Sequence, residues 1–209
     1  MSQFFVLHPT HPEPRLIKRA VEIVRQGGLI AYPTDSCYAL GCHIGDKSAM
    51  ERIRRIRGVD ERHQFTLVCR DLSEIGTFAK VDNTQYRLLK ANTPGAYTFI
   101  LKATRELPRR LAHPKRATIG VRVPDHAVAS ALLAELGEPI LSSTLVLPDA
   151  DEPLNDAEAI RDALEHQLDV ILNGGACGIE PTTIVDLSQD VPILVRRGKG
   201  DAAVFGFED

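Results

Sequence analysis

The sequence has no tryptophan, and phenylalanine and tyrosine bring its aromatic content to only 5%. A broad stacking platform for single-stranded nucleic acid therefore has few candidates, although recognition of A-form RNA through backbone and shape is not excluded. Cysteine is also sparse: Cys37, Cys42, Cys69 and Cys177 form no CxxC pair and stand in no histidine ladder of zinc spacing. Four cysteines among 209 residues exclude a disulfide scaffold and imply free thiols in a reducing compartment. No run approaches the ~20 apolar residues of a membrane-spanning helix. The opening MSQFFVLHPTHPEPR lacks a basic region followed by an apolar stretch, so the cytoplasm is the expected location and no membrane partner is expected. Charge of one sign is not in excess either. The net charge of -3 favours no polyanionic partner, because attraction to phosphate depends on local clusters of Lys and Arg.

What is present is the mixture of an ordinary globular protein, 44% hydrophobic and 25% charged. The length points to one domain over residues 1–209, with 1–14 as a lead-in and a short flexible tail over 201–209. Phe4 to Leu7 reads as a first strand. Leu16, Ile17, Ala20, Val21 and Val24 recur at helical spacing and end at Gly27-Gly28. LIAYP then reads as a buried strand stopped by Pro33, with turn chemistry at Thr34 and Asp35. Asp46 is placed to cap a helix that carries Ala49, Met50, Ile53 and Ile56 on one side. Phe65 to Cys69 and Tyr97 to Leu101 are short apolar strands on either side of a helix over Thr84 to Ala91. Thr118 to Pro124 is a strand, after which Asp125 is expected to cap a helix ended by Gly137. Pro139 to Leu147 is a strand. Ile160, Ala163, Leu164 and Leu168 mark a last helix, and strands at Val170 to Leu172, Thr183 to Leu187 and Ile193 to Arg196 complete the chain. The interleaving predicts an α+β fold of three α/β/α layers around a mixed, twisted open sheet, with the last two strands antiparallel.

Hydroxyls and cations recur beside Gly and Pro at strand ends: Thr34-Asp35-Ser36, Arg122, Ser142-Ser143-Thr144, Thr182-Thr183 and Arg196. Ligands of α/β sheets collect where strand ends meet, and a guanidinium fork suits phosphate or carboxylate. Taken singly, the same residues serve as turn caps and solvated surface. His63 is either an anion contact or a solvated loop imidazole, and Asp35 either a Mg²⁺ contact or a turn cap, the latter favoured. Cys37 has no local His and Asp to activate it and reads as a buried thiol. The Gly174-Gly175 pair with Gly178 lacks the Lys-Ser/Thr ending of a P-loop. Glu51 to Arg57 presents arginines either to a ligand or to water.

YPTDSCYALG at Tyr32 to Gly41, ERIRRIRG at Glu51 to Gly58, TPGAYTFIL at Thr93 to Leu101, TIGVRVPD at Thr118 to Asp125, PILSST at Pro139 to Thr144, NGG at Asn173 to Gly175, PTTIVDL at Pro181 to Leu187 and VRRG at Val195 to Gly198 together resemble the YrdC-like family of threonylcarbamoyladenylate synthases, in its bacterial YciO-like branch. The resemblance implies the family's mixed sheet and a nucleotidyltransferase reaction. In it, L-threonine, bicarbonate and ATP with its Mg²⁺ give threonylcarbamoyl-AMP and pyrophosphate, the group passing on toward a tRNA adenosine. It further implies that Thr34, His63 and Arg122 hold threonine, that Ser142, Thr144, Thr182, Thr183 and Arg196 hold the nucleotide, and that Arg57 and Arg196 are catalytic. No protein ligand set for a metal is implied.

Two positions depart from the family pattern. Val59 replaces the second cation of the K-x-R motif, and Thr144-Leu145-Val146 replaces Ser-Ala-Asn. Loss of one fixed donor to a developing charge costs about 3 kcal/mol, so weak activity is expected. The alternative is a nucleotide- or RNA-binding protein without synthesis. Its double-stranded RNA or tRNA contacts would come from the basic stretch Lys102, Arg105, Arg109, Arg110, Lys115 and Arg116. No heptad or isolated apolar helix specifies an oligomer.

Overall fold

Short apolar runs alternating with amphipathic stretches fold into one ten-stranded sheet in the computed structural model, which describes residues 1–208. Strands β1 (Gln3–Val6), β2 (Ile30–Tyr32), β3 (Ala39–His43), β4 (Thr66–Val68), β5 (Tyr97–Lys102), β6 (Thr118–Arg122), β7 (Ile140–Thr144), β8 (Val170–Asn173), β9 (Thr183–Asp186) and β10 (Ile193–Arg196) lie in the order β1-β8-β2-β3-β7-β4-β6-β5-β9-β10. The sheet is mixed: β1, β2 and β8 are parallel, as are the pairs β4 with β6 and β5 with β9, while β9 and β10 are antiparallel as expected.

Helices cover both faces, giving the expected three layers. The helices α1 (Pro14–Arg25) and α5 (Ala127–Leu136) bury Ile17, Val21, Leu132 and Leu133 on one face, against Tyr32, Ile140 and Val170. The larger apolar cluster lies on the other face, under α2 (Lys47–Arg57), α3 (Leu72–Phe78), α4 (Asn83–Asn92) and α6 (Ala157–Leu164). Coverage of the first face is incomplete. The cluster under α1 and α5 takes residues from β2, β3, β4, β7 and β8 but none from β6, β5 or β9. There, apart from Ile100 and Ile184, the strand residues pointing the same way as Tyr32 are small or polar, and a hollow remains. Among the described residues no helix is long and apolar enough to cross a membrane.

The local signals place α2 with care. The Asp46 carboxylate accepts from the Ala49 amide at 2.8 Å, and Gly58 ends the helix in the left-handed region at φ 62°. Arg57 is thereby the last helical residue, delivered to the edge of the hollow.

Several expectations need correction. The cap of α5 is His126, whose Nδ1 accepts from the Val128 amide at 3.2 Å, not Asp125. The helix α6 begins after Asp156 and stops at Leu164, so Leu168 lies beyond it. Strand β3 was not anticipated, because Ala, Gly and Cys carry little strand propensity; its pairing with β2 and β7 creates it. Helix α3 was also missed, although Asp71 caps it through the Glu74 amide at 2.9 Å. The first strand, expected at Phe4 to Leu7, is β1 at Gln3–Val6 and pairs with β8. The segment after Gly200, expected to be a flexible tail, is packed: Ala202 is buried, and Phe205 meets Tyr97 and Phe99 edge-on with centroids 5.4 and 5.8 Å apart. Asp209 lies outside the described residues. Phe205→Ala should therefore lower stability by about 1–2 kcal/mol in urea unfolding, since part of an aromatic side chain and two ring pairs are lost. An unchanged midpoint would show that the tail contributes no packing.

Candidate functional site

The floor of the hollow is an in-register row across the sheet. Gly41 pairs with Ser142, Ser142 with Thr66, and Thr66 with Gly120, so all four side-chain positions point to one face. A Cβ on Gly120 would sit 3.3 Å from Thr98 Cγ2 and 3.4 Å from Thr66 Oγ1, so the glycine keeps the floor low. Above it lies a cavity of about 220 Å³ whose lining includes Thr34, Arg57, His63, Arg122, Thr182 and Arg196. Ser142 and Thr144 line it as well. Chain segments far apart in sequence thus converge on one space.

Its first wall is the turn after β2. Thr34 Oγ1 accepts from the Ser36 and Cys37 amides, both at 3.2 Å, and donates to the Cys37 carbonyl at 2.6 Å. The hydroxyl is engaged in its own turn while its residue faces the cavity. Asp35 forms an ion pair with Arg122, both side chains about nine-tenths buried, and Arg122 Nη1 donates to Ser36 Oγ at 3.2 Å. The Asp35 carboxylate neutralises Arg122, and the turn amides donate to Thr34 instead, so the expected turn-cap role of Asp35 falls to Thr34. Cys37 is buried, and burial raises its pKa, as suits an inert thiol.

Arg57 and Arg196 are different. Arg57 Nη1 donates to Ser143 Oγ at 3.0 Å and to the Thr144 carbonyl at 2.6 Å. Arg196 donates to the Thr182 carbonyl from Nε at 3.1 Å and Nη2 at 2.8 Å, and Thr182 Oγ1 lies 2.8 Å from Thr98 Oγ1. Among the described residues neither guanidinium has a carboxylate in ion-pair range. Burial lowers the pKa of both, and Arg196 adds repulsion at Arg57. The approach of Arg196 depends on Gly198, where a Cβ would fall 2.2 Å from the Pro181 carbonyl oxygen.

His63 Nε2 lies 3.0 Å from Ser143 Oγ, and its ring meets Phe65 edge-on at 5.4 Å. Burial, then the charges of Arg57 and Arg54, push its pKa down to about 4 against the opposing effect of Asp60. It is therefore a neutral imidazole at pH 7. Ser142 donates to the Leu40 carbonyl at 2.8 Å and lies 2.8 Å from the Tyr32 hydroxyl, so it stabilises the floor while lining it.

Thr183 does not join the others. It is fully buried; its hydroxyl donates to the Gly200 carbonyl and accepts from the Gly198 amide at 3.0 Å, which fastens the C-terminal segment. The six basic residues from Lys102 to Arg116 do not form one stripe. Lys102 lines a groove with Lys80 and Asp190, Arg109 and Arg110 line another hollow, and Arg110 donates to the Ile44 and Gly45 carbonyls. Arg116 is paired with Asp186 at 3.4 Å, while Arg105 and Lys115 are exposed. Gly174, Gly175 and Gly178 are absent from the cavity lining.

Sequence reasoning missed Thr66 and Thr98, and it gave Ser143 no role beyond its place among the strand-end hydroxyls. The first two were legible as single hydroxyls inside otherwise apolar strands; the role of Ser143, which points the opposite way from Ser142, becomes visible only when Arg57 and His63 meet it. Val146 also lines the cavity. No carboxylate does, and among the described residues no group of three or more metal-ligating side chains exists. Hydroxyl and guanidinium donors suit an anionic oxygen.

The depressed His63 pKa has a measurable sign. An unfolded chain takes up this proton near 6.5 and the folded protein only near 4, so its contribution is full above about pH 6.5 and falls as pH drops toward 4. A ring-resonance titration should give a midpoint near 4, and His63→Gln should flatten the acid slope of stability. A midpoint above 6 would show that the ring is solvated.

The sequence profile described as Telomere recombination, which unites Sua5, YciO and YrdC proteins, matches residues 22–198. A Haemophilus influenzae protein is 60% identical over 98% of this chain and 100% of its own length. The crystal structure of Escherichia coli YciO superposes with a TM-score of 0.95 at 58% identity, covering 98% of this chain and 100% of that one. A Chromobacterium violaceum protein named threonylcarbamoyl-AMP synthase is 35% identical over 86% of this chain and 92% of its own length. With that profile, these relatives and this sheet order in agreement, the chain belongs to the Sua5, YciO and YrdC family and has its three-layer fold.

Proposed function

We propose that the protein binds Mg·ATP and L-threonine together in this cavity and forms threonylcarbamoyl-AMP, at a rate below that of the family's dedicated synthases. The observation that carries this reading is the pair Arg57 and Arg196, the first half-buried and the second exposed along its side chain with its head group partly sheltered against Thr182, both without carboxylate partners among the described residues and facing one space. Such charges are stabilised by an anion of high charge density, and a polyphosphate is one. The family link to threonylcarbamoyl-AMP synthesis supplies the second substrate class, whose carboxylate would meet Arg122 at the wall shared with Thr34, in competition with Asp35 for the same guanidinium.

In the reaction the threonine amine adds to bicarbonate, forming an N–C bond and releasing water. A carbamate oxygen then attacks the α-phosphorus, the bond from that phosphorus to the bridging oxygen breaks, and pyrophosphate leaves with the electron pair. Arg57 and Arg196 stabilise charge on the phosphate oxygens, and neutral His63 orients rather than deprotonates. A second reading, nucleotide binding without synthesis, is favoured by Val146: its apolar side chain stands in the lining where the family pattern has an amide donor. The dispersed basic residues support no RNA surface of their own.

Purified protein with L-threonine, bicarbonate and Mg·ATP should yield the mixed anhydride by mass spectrometry with one pyrophosphate per product. Arg57→Ala and Arg196→Ala should each lower kcat/KM about 100-fold while the fold is retained. Product no higher than the enzyme-free control, with ATP still bound, would replace synthesis by the binding reading.

A further inference from the structure

The geometry points to Ser143 as a positioning residue that fixes His63 in its Nδ1–H tautomer and orients the Arg57 guanidinium. Ser143 Oγ lies 3.0 Å from both Arg57 Nη1 and His63 Nε2. A guanidinium only donates, so the serine oxygen accepts from Arg57. Ser143 is 7% exposed, and among the described residues its hydroxyl proton has no recorded acceptor besides His63 Nε2. A proton on Nε2 would place a second donor on this oxygen and strand the hydroxyl proton in a buried position. The arrangement that satisfies all three groups has Arg57 donating to Ser143, Ser143 donating to Nε2, and the imidazole proton on Nδ1.

The same serine and imidazole have the spacing of a nucleophile and its base. The Arg57 hydrogen bond to the oxygen and the burial of the residue oppose attack on a substrate, so the hydroxyl serves as an anchor. Through it the orientation of Arg57 and the protonation pattern of His63 are set together. Arg57 has a second tether, the Thr144 carbonyl, whereas His63 Nε2 has only this one recorded hydrogen bond. Loss of the hydroxyl should therefore disturb His63 first.

The tautomer can be read in the ligand-free protein by long-range ¹H–¹⁵N spectra of ¹⁵N-histidine. In the native chain at pH 7 His63 Nδ1 should be protonated and Nε2 bare. In Ser143→Ala the ring should shift toward a mixture with Nε2–H, and Ser143→Thr, which keeps a hydroxyl, should restore the native pattern. Nε2–H in the native chain, or an unchanged tautomer in Ser143→Ala, overturns the inference. The kinetic arm rests on the synthase reading. There Ser143→Ala should lower kcat about 10-fold or more through misplacement of Arg57 and His63, with KM for ATP changing less than about threefold. An inactive native protein with Nδ1–H His63 supports the tautomer assignment and counts against the synthase reading alone.

Discussion

Arg57 and Arg196 each hold positive charge partly out of water, and neither is offset by a carboxylate. Their local partners are neutral: a serine hydroxyl, a threonine hydroxyl and two backbone carbonyls. Neutral acceptors orient a guanidinium but leave its field in place, whereas Arg122, nearby, is cancelled by Asp35. The cavity therefore has an internal asymmetry. One end is charge-balanced, the other strongly attractive to an anion, and His63, beside Arg57 on Ser143, stays neutral because burial first, and then the charges of Arg57 and Arg54, oppose its protonation.

This arrangement follows from where the sheet is left bare. The helices α1 and α5 cover one half of a face with aliphatic side chains, and the rest of that face carries Ser142, Thr66, Gly120 and Thr98. Had those positions been Val or Ile, a further helix could pack there and the hollow would close. The opposite face is largely apolar in its central strands, Ser143 excepted, and its cluster under α2 gives the helix a firm seat. Arg57 is thus supported by the core on one side while its head group reaches the hollow beyond the strand ends.

Much of this was legible in the sequence. Strong signals, such as the Asp46 cap, the Gly58 and Gly137 stops and the branched apolar runs of β4 and β8, placed their elements within a residue or two. The site residues Thr34, Arg122 and Arg196 were singled out as hydroxyls and cations at strand ends, whereas Arg57, at a helix end, was marked as a site residue only by the family resemblance. What stayed hidden depends on tertiary pairing. Strand β3 has too little intrinsic preference to declare itself, and Thr183 differs from Thr182 only by facing the opposite side of β9. The basic stretch looked continuous because sequence distance ignores direction; in space Arg110 and Arg116 turn back onto the protein.

Gly198 links the chain's last strand to the charge balance of the cavity. Its missing side chain lets the backbone lie against Pro181 and Thr182, and the preceding strand end then brings Arg196 down onto the Thr182 carbonyl. A single added methyl at that residue would meet carbonyl oxygen rather than empty space, lifting the strand end outward and carrying the guanidinium with it. The strength of the electric field felt by a guest is in this sense set by a residue that has no polar side chain and never touches it.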